Sequence, residues 1–436
     1  MSGEICNHLM KFLDESHSMF HAIAYLARML DDSGFIRLEE GKSWKLLLGK
    51  KYYTVRGASS LIAFAIPENR RGGFMMAAAH CDSPTYKLRQ NAVSVSTDGL
   101  ARLSVEKYGG AIERSWFDRP LSIAGRVLYE DGRKVSARLI DIDRDLLVIP
   151  SVAPHLSKDL SKGGELKAHV DMLPLFSQAR SAGELNSVIA ETIGIPAQQI
   201  LATDLFLYAR MPSTMIGLNH EFIASPRLDD LECAWCCLKA LIEAQDSGAV
   251  PVMCVFNNEE VGSGTAQGAD STFLCDVLER LCSSLELSSE ERYAAIAESY
   301  MVSADNAHAV HPAHPELSDA NEQPQMNKGI VIKYNAAQKY TTDGFSAAVF
   351  ISICKRAGVP VQSYSNRADL PGGSTLGHIS IAHVSVPTVD IGLAQLAMHS
   401  CYEIAGAEDP AYLVAAMKEY FSSRLLRISD EITEIE

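Results

Sequence analysis

The sequence of 436 residues lacks the features that would assign it to a membrane, secreted or nucleic-acid-binding class. It has no uninterrupted apolar stretch of the roughly 18 residues that cross a bilayer, and residues 1–14 lack the basic region and apolar core of a signal peptide. Runs of Lys and Arg are also absent: 39 basic residues stand against 54 acidic ones, for a formal net charge of −15. We therefore expect a soluble protein that binds neither nucleic acid nor a membrane surface.

Cysteine follows no disulfide pattern. The ten cysteines are spread through apolar segments, as Cys254 and Cys354 illustrate. Disulfide frameworks are typical of short secreted chains, so reduced core thiols and a cytoplasmic location are the simpler prediction. Cys233 and Cys236 have CxxC spacing, but no second pair follows at zinc-ribbon spacing, which favours core packing.

Motifs for covalent catalysis and for phosphate binding are missing as well. The sequence contains no GxSxG elbow, and no cysteine has a catalytic signature. Residues 262–268 are glycine-rich but lack the glycine spacing and the lysine of a phosphate loop, so a tight turn is the better interpretation. Metal-assisted chemistry is the hypothesis that remains.

The chain is long enough for more than one domain, and its pattern of predicted strands and helices changes twice along the sequence. Over residues 92–213, short alternating segments surround turn signals, with a hairpin signal at Asp131-Gly132. Apolar strands and long helices dominate on either side. We predict an α/β fold whose main domain, residues 1–91 and 214–436, is discontinuous and carries residues 92–213 as an inserted β-rich domain. The predicted helical stretches cover residues 2–33, 183–192 and 228–244.

Four apolar runs, each ending in an acid or a histidine, are the most informative feature that the sequence does contain. Three are short, rich in small or β-branched residues and without helical periodicity, which predicts buried strands, whereas the fourth is either a strand or a loop. In an open α/β sheet, ligands bind beyond the carboxyl ends of the strands, so the side chains that follow these runs are expected to converge. The runs are 74–79 before His80 and Asp82, 252–256 before Glu259 and Glu260, 301–304 before Asp305, and 394–398 before His399.

The residue types at these ends suit a centre of two divalent cations and a general base. Neighbouring side chains of extended backbone point to opposite sides, so one glutamate of the pair can bind a cation while the other takes a proton from water. A solvated acidic loop is the alternative. His80 alone is more typical of a structural histidine, but Asp82 could fix its tautomer. Asp229 also has an ordinary explanation, because an acid in the first turn of a helix interacts favourably with the helix dipole.

Three further histidines, His308, His311 and His314, invite a metal-site interpretation. They precede or lie within a proline-containing loop that offers no fixed scaffold. Surface positions are therefore favoured, and we exclude these three from the predicted centre.

At these residues the sequence resembles the aspartyl aminopeptidase family of co-catalytic zinc metallopeptidases, and the resemblance covers nearly the whole length. It implies a zinc-peptidase catalytic domain with a mixed sheet and helices on both faces, and an inserted domain for dimerisation and assembly. The five matching motifs are residues 79–84 (AHCDSP), 226–230 (PRLDD), 258–263 (NEEVGS), 303–308 (SADNAH) and 398–400 (MHS).

The resemblance also implies the cofactor and its ligands. The family binds two Zn²⁺ ions per subunit, and Co²⁺ or Mn²⁺ would be substitutes, since carboxylate-rich sites accept several divalent metals. The implied roles are His80 and Asp305 on one ion, Glu260 and His399 on the other, Asp229 bridging both, Glu259 as general base, and Asp82 orienting His80.

Substrate and partners are implied in the same way. The family removes one residue, preferably Asp or Glu, from the free N-terminus of a peptide. Lys333 corresponds to a lysine that meets the acidic side chain, although its local sequence reads as a strand-edge lysine, and Gly373 and Ser374 correspond to a loop lining the cleft. His155 corresponds to a histidine that the inserted domain lends to a neighbouring subunit, in a tetrahedral dodecamer built from dimers.

Two alternative functions remain open from the sequence. One is a broad-specificity or deblocking aminopeptidase with the same metal site. The other belongs to a different class, a catalytically silent assembly or cargo-binding protein. The intact set of ligands and base favours an enzyme.

Overall fold

The structure is a computed structural model that describes residues 2–370, 372–373 and 375–436. The helices are α1 (Ser2–Glu15), α2 (Met19–Asp32), α3 (Lys158–Ser161), α4 (Ala168–Asp171), α5 (Leu185–Ile193), α6 (Leu228–Glu243), α7 (Phe273–Ser284), α8 (Ser289–Ala297), α9 (Gly344–Ala357), α10 (Leu376–Ser380) and α11 (Asp409–Phe421). The strands are β1 (Ile36–Leu38), β2 (Lys51–Arg56), β3 (Ser60–Ala65), β4 (Phe74–His80), β5 (Thr85–Val95), β6 (Leu100–Tyr108), β7 (Leu121–Asp131), β8 (Lys134–Asp141), β9 (Leu175–Gln178), β10 (Ile200–Ala209), β11 (Thr214–Ile216), β12 (Phe222–Ser225), β13 (Val250–Phe256), β14 (Tyr300–Ala304), β15 (Ala307–His308), β16 (Ile330–Tyr334), β17 (Val361–Ser365), β18 (Thr388–Gly392), β19 (Ala394–Leu396), β20 (Glu403–Gly406), β21 (Leu425–Arg427) and β22 (Thr433–Ile435).

A nine-stranded mixed sheet forms the centre of the fold, in the order β1-β2-β3-β13-β4-β14-β18-β16-β17. Strands β13, β4, β14 and β18 run parallel to one another, and β3 and β16 flank them antiparallel. Every residue of these four strands is buried, which accounts for their almost continuous apolar sequences. The strands predicted over 74–79, 252–256 and 301–304 are confirmed as β4, β13 and β14.

Helices cover both faces of this sheet. Successive side chains of a strand point to opposite faces, so Met75 and Ala77 of β4 pack in one core while Phe74 and Met76 pack in the other. The first core includes apolar side chains of α1, α2, α6, α9 and α11. The second includes those of α7 and α10. The predicted α/β fold with helices on both faces is confirmed.

A six-stranded antiparallel sheet has the order β8-β7-β10-β5-β6-β9 and a hydrophobic core of its own, to which α5 contributes. The predicted hairpin at Asp131-Gly132 is confirmed, since Asp131 pairs with Lys134 across β7 and β8. Strand β5 begins at Thr85 and so crosses the predicted domain boundary at residue 91.

A third sheet of five strands, in the order β11-β12-β20-β19-β15, carries two of the loops that lead to the candidate site. Ser225, the last residue of β12, pairs with Glu403, the first residue of β20. The loop that follows β12 and the loop that precedes β20 are therefore adjacent. The fourth apolar run is a strand only over Ala394–Leu396, and the rest of it is loop.

The N-terminal region differs from its prediction. The helical stretch predicted over residues 2–33 is two helices, with a break at residues 16–18. At this break the His17 ring stacks on Tyr208 of the six-stranded sheet with centroids 4.0 Å apart, and its Nδ1 lies 2.8 Å from the Asp141 carboxylate. The break thus lets a polar side chain between two helices contact β8 and β10 of the six-stranded sheet, which helical periodicity alone does not indicate.

The ten cysteines are free thiols, and nine of them are buried. The three on α6 lie in the hydrophobic core, as the packing interpretation predicted. Within the described residues, no helix has both the length and the apolar character to cross a lipid bilayer.

Replacing Tyr420 by Phe tests the attachment of α11 to the central sheet. The buried Tyr420 hydroxyl lies 2.8 Å from the Met76 carbonyl oxygen and 2.9 Å from the Tyr300 carbonyl oxygen. Losing this donor should lower the free energy of unfolding by about 1–3 kcal/mol, because buried acceptors are left unsatisfied. The control is Tyr412→Phe on the same helix, whose hydroxyl has only a long, exposed contact of 3.4 Å with Glu408. Urea unfolding that does not separate the two variants contradicts this role.

Candidate metal centre

The polar ends of β4, β13 and β14 meet at one edge of the central sheet. Phe256 and His80 are direct neighbours in register, and β14 lies on the other side of β4. Parallel strands deliver their carboxyl ends to the same crevice. His80, Glu259, Glu260 and Asp305 therefore converge there, as the sequence predicted.

Asp229 lies between the two histidines of the centre. Its Oδ1 is 3.6 Å from His80 Nε2, and its Oδ2 is 3.4 Å from His399 Nε2. The carboxyl group is almost fully buried, at 4% side-chain exposure. Each oxygen of one carboxylate thus faces a different imidazole, which is the arrangement that a bridging ligand requires.

The backbone around Asp229 is irregular, so Asp229 is not the ordinary first-turn acid that helical patterning suggested. Arg227, just before α6, has a left-handed φ of 61°, and Asp229 and Asp230 have non-helical angles although they fall within the bounds of α6. The peptide bond between these two acids is cis. These angles turn the Asp229 side chain toward the crevice rather than along the helix.

Two further distances complete the cluster. His80 Nε2 lies 3.9 Å from Asp305 Oδ1, and His399 Nε2 lies 3.5 Å from Glu260 Oε1. Ligand atoms of Asp229, Glu260 and His399 all lie within 4.8 Å of one another, as do those of His80, Asp230 and Asp305. The structure therefore brings all five predicted metal ligands together.

These separations fit bound cations. Bonds of about 2.0–2.2 Å to zinc place two tetrahedral ligands roughly 3.3–3.6 Å apart, and the four nitrogen–oxygen distances above lie at or just beyond that range. Two of the buried carboxylate oxygens, Asp229 Oδ1 and Glu260 Oε1, have no hydrogen-bond partner among the described residues. Imidazole and carboxylate donors suit zinc. The donor set and its spacing therefore fit a two-cation centre.

Carboxyl groups outnumber basic groups in this region, and buried carboxylates are unfavourable unless cations or protons balance them. This imbalance is a second argument for divalent cations. The acidic side chains are Asp82, Asp229, Asp230, Glu259, Glu260, Asp305 and Glu403, and the basic ones are His80, His308, Lys333 and His399.

Burial and the facing opposite charges together determine the pKa values of the centre. It raises the pKa of Glu259 to about 7 and raises that of Glu260 well above its ordinary value. Burial alone would also raise the pKa of Asp229, but the imidazoles of His399 and His80 outweigh it and lower that pKa. On the imidazoles, burial alone would lower the pKa, yet the facing carboxylates raise it for His80 and raise it to about 10 for His399. Without metal, the centre therefore retains protons on groups that must lose them to bind a cation.

Asp82 contacts more than the histidine that it is predicted to orient. Its Oδ1 is 3.5 Å from His80 Nδ1, which also lies 3.0 Å from the Asp82 carbonyl oxygen. The same carboxylate accepts the backbone N–H groups of Glu259 and Glu260, at 3.1 and 3.2 Å, and the Tyr108 hydroxyl, at 2.8 Å. The Asp82 carboxylate thus holds the backbone of the glutamate pair, whereas the His80 ring lies closer to the Asp82 carbonyl oxygen than to the carboxylate.

The glutamate pair itself differs from its predicted backbone conformation. Glu259 and Glu260 are not extended but begin a 3₁₀ turn, preceded by Asn258 with a left-handed φ of 63°. Asn258 in turn donates to the Tyr108 hydroxyl, at 2.9 Å. Both side chains line the same cleft, and their carboxylate oxygens and a His80 nitrogen all lie within 4.8 Å of one another.

A cleft of about 180 Å³ lies over the cluster. Lys333, Gly373, Tyr340 and Tyr364 are among its lining residues. Predicted residue Ser374 lies outside the described residues. The remaining lining residues include His308, which the sequence argument excluded as a metal ligand and which takes part in none of the ligand groups found in the described part of the chain.

The buried ammonium of Lys333 contacts the backbone as well as the cleft. Its Nζ lies 2.7 Å from the Asp305 carbonyl oxygen, 3.3 Å from that of Asn306 and 3.4 Å from the Asp305 carboxylate. Burial alone would lower the pKa of Lys333, but the Asp305 carboxylate outweighs it and raises that pKa. Lys333 therefore stays charged, and it holds Asp305 in place.

His155 is not brought to the cluster within this chain. It is exposed, on a segment of irregular backbone beside the six-stranded sheet. The described residues that line the cleft do not include it.

Three residues that contact the site, Gly110, Tyr108 and Glu403, had no counterpart in the sequence argument. The Gly110 carbonyl oxygen lies 3.2 Å from His399 Nδ1, and Tyr108 reaches Asp82 from β6. Glu403 accepts the backbone N–H groups of Asp229 and His399. An acid four residues after His399 was a local signal for Glu403, but Tyr108 and Gly110 come from the other sheet and carry no such signal.

Comparison with known sequences identifies the family to which the chain belongs. The family described as aminopeptidase I zinc metalloprotease (M18) matches residues 12–421. A probable M18 family aminopeptidase 2 of Clostridium novyi (strain NT) is 39% identical over 428 residues, covering 96% of this chain and 99% of the relative. The protein of the same description from Pseudomonas paraeruginosa (strain DSM 24068 / PA7) is 39% identical over 431 residues, covering 97% and 99%.

Solved structures share the fold. A chain of the cryo-EM structure of the Ape4 and Nbr1 complex superimposes with a TM-score of 0.93 at 34% identity, covering 97% of this chain and 86% of that chain. The S. cerevisiae mApe1 dodecamer gives a TM-score of 0.84 at 26% identity, covering 96% of each chain. These matches confirm the resemblance to zinc metallopeptidases. The chain therefore belongs to the aminopeptidase I zinc metalloprotease (M18) family and is a metal-dependent aminopeptidase.

Proposed function

We propose that this aminopeptidase removes a single residue, preferably Asp or Glu, from peptides with a free N-terminus, using two divalent cations and an activated water. One observation carries the two-cation proposal: the two oxygens of Asp229 face two different histidines, at 3.6 and 3.4 Å. A single-cation site would leave one of these imidazoles without a function. The small cleft supports removal of one residue, because 180 Å³ accommodates a residue rather than a chain.

The ligand assignment is part of the proposal. Zn²⁺, two ions per subunit, is the proposed cofactor, with Co²⁺ or Mn²⁺ as substitutes. When bound, the cations would supply the Lewis acidity that polarises the scissile carbonyl and lowers the pKa of the attacking water. The assigned ligands are His80 and Asp305 for one ion, Glu260 and His399 for the other, and Asp229 for both.

Glu259 is the proposed general base. Its backbone N–H is held by Asp82 at 3.1 Å, and its side chain lines the cleft beside the ligand cluster. It takes the proton of the attacking water and returns it to the leaving amine. A positioned carboxylate of this kind contributes about 10²–10⁴-fold to the rate of such reactions.

The acidic preference is assigned to Lys333. Among the described residues that line the cleft, it is the one Lys or Arg side chain. Its charge is fixed by Asp305, so an acidic substrate side chain would enter next to a permanent cation. Gly373 lines the same cleft and is proposed to contact the substrate backbone, as is Ser374 by its position in the sequence.

Assembly is proposed from the exposed His155 and from the relatives. His155 would enter the cleft of a neighbouring subunit and help to stabilise the oxyanion. The proposed assembly is a homo-oligomer, a tetrahedral dodecamer built from dimers, with residues 92–213 as the inserted assembly domain. The solved mApe1 structure is itself a dodecamer. The free, mostly buried thiols support a reducing cytoplasm as the compartment.

The same metal site would also serve a broad-specificity or deblocking aminopeptidase. The substrate panel described below for Lys333 separates this alternative from an acidic preference. A catalytically silent assembly or cargo-binding protein is disfavoured, because all five proposed ligands and Glu259 are present and close together.

Exchanging each glutamate of the pair for Gln tests the division of roles. Glu259→Gln should lower kcat by about 10²–10⁴-fold, because the amide cannot accept the proton, while metal content stays unchanged. Glu260→Gln is the matched variant, and it should lose metal as well as activity. Elemental analysis and peptide hydrolysis measure both properties. A Glu259→Gln enzyme with undiminished turnover removes the base assignment.

Replacing Lys333 by Ala tests the acidic preference. Release of Asp and Glu from peptide N-termini should fall by about 30-fold more in kcat/KM than release of Leu or Ala, since a charge-assisted hydrogen bond contributes about 2 kcal/mol. Lys328→Ala, an exposed lysine preceding the same strand, is the control. An equal loss on all substrates would mean that Lys333 acts only by holding Asp305.

Proton release on metal loading tests the protonation of the centre. The facing carboxylates raise the pKa of His80 well above its ordinary value and raise that of His399 to about 10, and a protonated imidazole must lose its proton before a cation binds. Zinc affinity should therefore fall as the pH falls. Titration calorimetry of the metal-free protein in two buffers with different ionisation enthalpies counts the protons. Binding heats that do not depend on the buffer contradict the expectation.

A further inference from the structure

A buried glutamate outside the proposed ligand set joins two of the ligand loops. Glu403 is the first residue of β20, and its exposure is 1%. Its Oε2 accepts the backbone N–H of Asp229 at 3.0 Å, and its Oε1 accepts that of His399 at 2.6 Å. One carboxylate therefore holds two segments that lie far apart in the sequence.

Both segments contribute to the same cation position. Asp229 and His399 form, with Glu260, one group of mutually close ligand atoms. On the other side of the centre, the backbone N–H of His80 is accepted instead by Asp230, at 3.1 Å. Among the described contacts, Glu403 thus holds two of the three ligands proposed for one cation position, whereas for the other position it holds only Asp229, which is proposed to serve both, and neither His80 nor Asp305.

We propose that Glu403 is a positioning residue that sets the metal affinity of the position formed by Asp229, Glu260 and His399. It acts through the backbone of two ligands and touches neither the proposed cations nor the substrate. The inference rests on the proposed two-cation function and adds to it a residue that affects one of the two positions more than the other, because His399 belongs to that position alone.

The chemistry of the contact explains why a carboxylate is required. Two N–H donors point at one side chain, and a carboxylate offers an acceptor oxygen to each. A glutamine in its place would present one oxygen and one NH₂ group, so one donor would face another donor. One of the two ligand loops would then lose its anchor, and loss of such an outer contact lowers metal affinity by about 10–100-fold.

The test compares Glu403→Gln with a matched control. Asp409 is also fully buried and also accepts two backbone N–H groups, those of Asn327 at 2.6 Å and Gly329 at 3.0 Å, but it lies at the start of α11, outside the ligand groups. Asp409→Asn therefore removes the same kind of contact elsewhere in the fold. Each protein is stripped of metal, its folding is checked by circular dichroism and thermal melting, and zinc per chain is measured in buffers of graded free Zn²⁺.

Wild type and Asp409→Asn should bind two zinc ions per chain, whereas Glu403→Gln should bind one ion about 10–100-fold more weakly and the other with a smaller loss of affinity. Unchanged binding of both ions by Glu403→Gln overturns the inference. Equal weakening of both ions, or a matching loss in Asp409→Asn, also overturns it, because general destabilisation would then explain the result.

A second variant keeps the inference testable if the Glu403→Gln protein does not fold. Glu403→Asp keeps the charge but shortens the reach, so it too should weaken one ion more than the other, and binding equal to wild type overturns the inference. A wild-type chain that binds fewer than two zinc ions contradicts the two-cation function itself. That outcome is distinct from one in which wild type binds two ions and Glu403→Gln does the same.

Discussion

The structure of the centre depends on buried carboxylates that are held by backbone N–H groups rather than by basic side chains. Asp82 accepts the N–H groups of Glu259 and Glu260, Asp230 accepts that of His80, and Glu403 accepts those of Asp229 and His399. Backbone donors satisfy these acids without adding positive charge. The centre therefore keeps its excess of negative charge, and oxygens of Asp229 and Glu260 remain free for cations.

The central sheet supports this arrangement, because every residue of its four middle strands is buried. The strands end in the same crevice, and short turns then aim the polar side chains. A residue other than glycine has a left-handed φ in the turn after β13, at Asn258, and in two loops of the five-stranded sheet, at Arg227 and His399. Such conformations persist where the surrounding contacts determine them, and they cluster at functional sites.

The six-stranded sheet takes part in the centre instead of only lying beside it. Tyr108 and Gly110, which come from this sheet and the loop that follows it, contact Asp82 and His399. A displacement of this sheet relative to the central sheet would therefore disturb both a glutamate anchor and a histidine ligand.

The sequence by itself determined the buried parallel strands, the hairpin at Asp131-Gly132, and the acids and histidines that follow the strands, because these features depend on local periodicity and turn chemistry. It did not determine the break between α1 and α2, the 3₁₀ turn at Glu259, or the roles of Tyr108 and Glu403. Those depend on contacts between segments far apart in the chain. Only the tertiary structure decided which carboxylates face the cleft and which hold the backbone, since the same residue type serves both purposes.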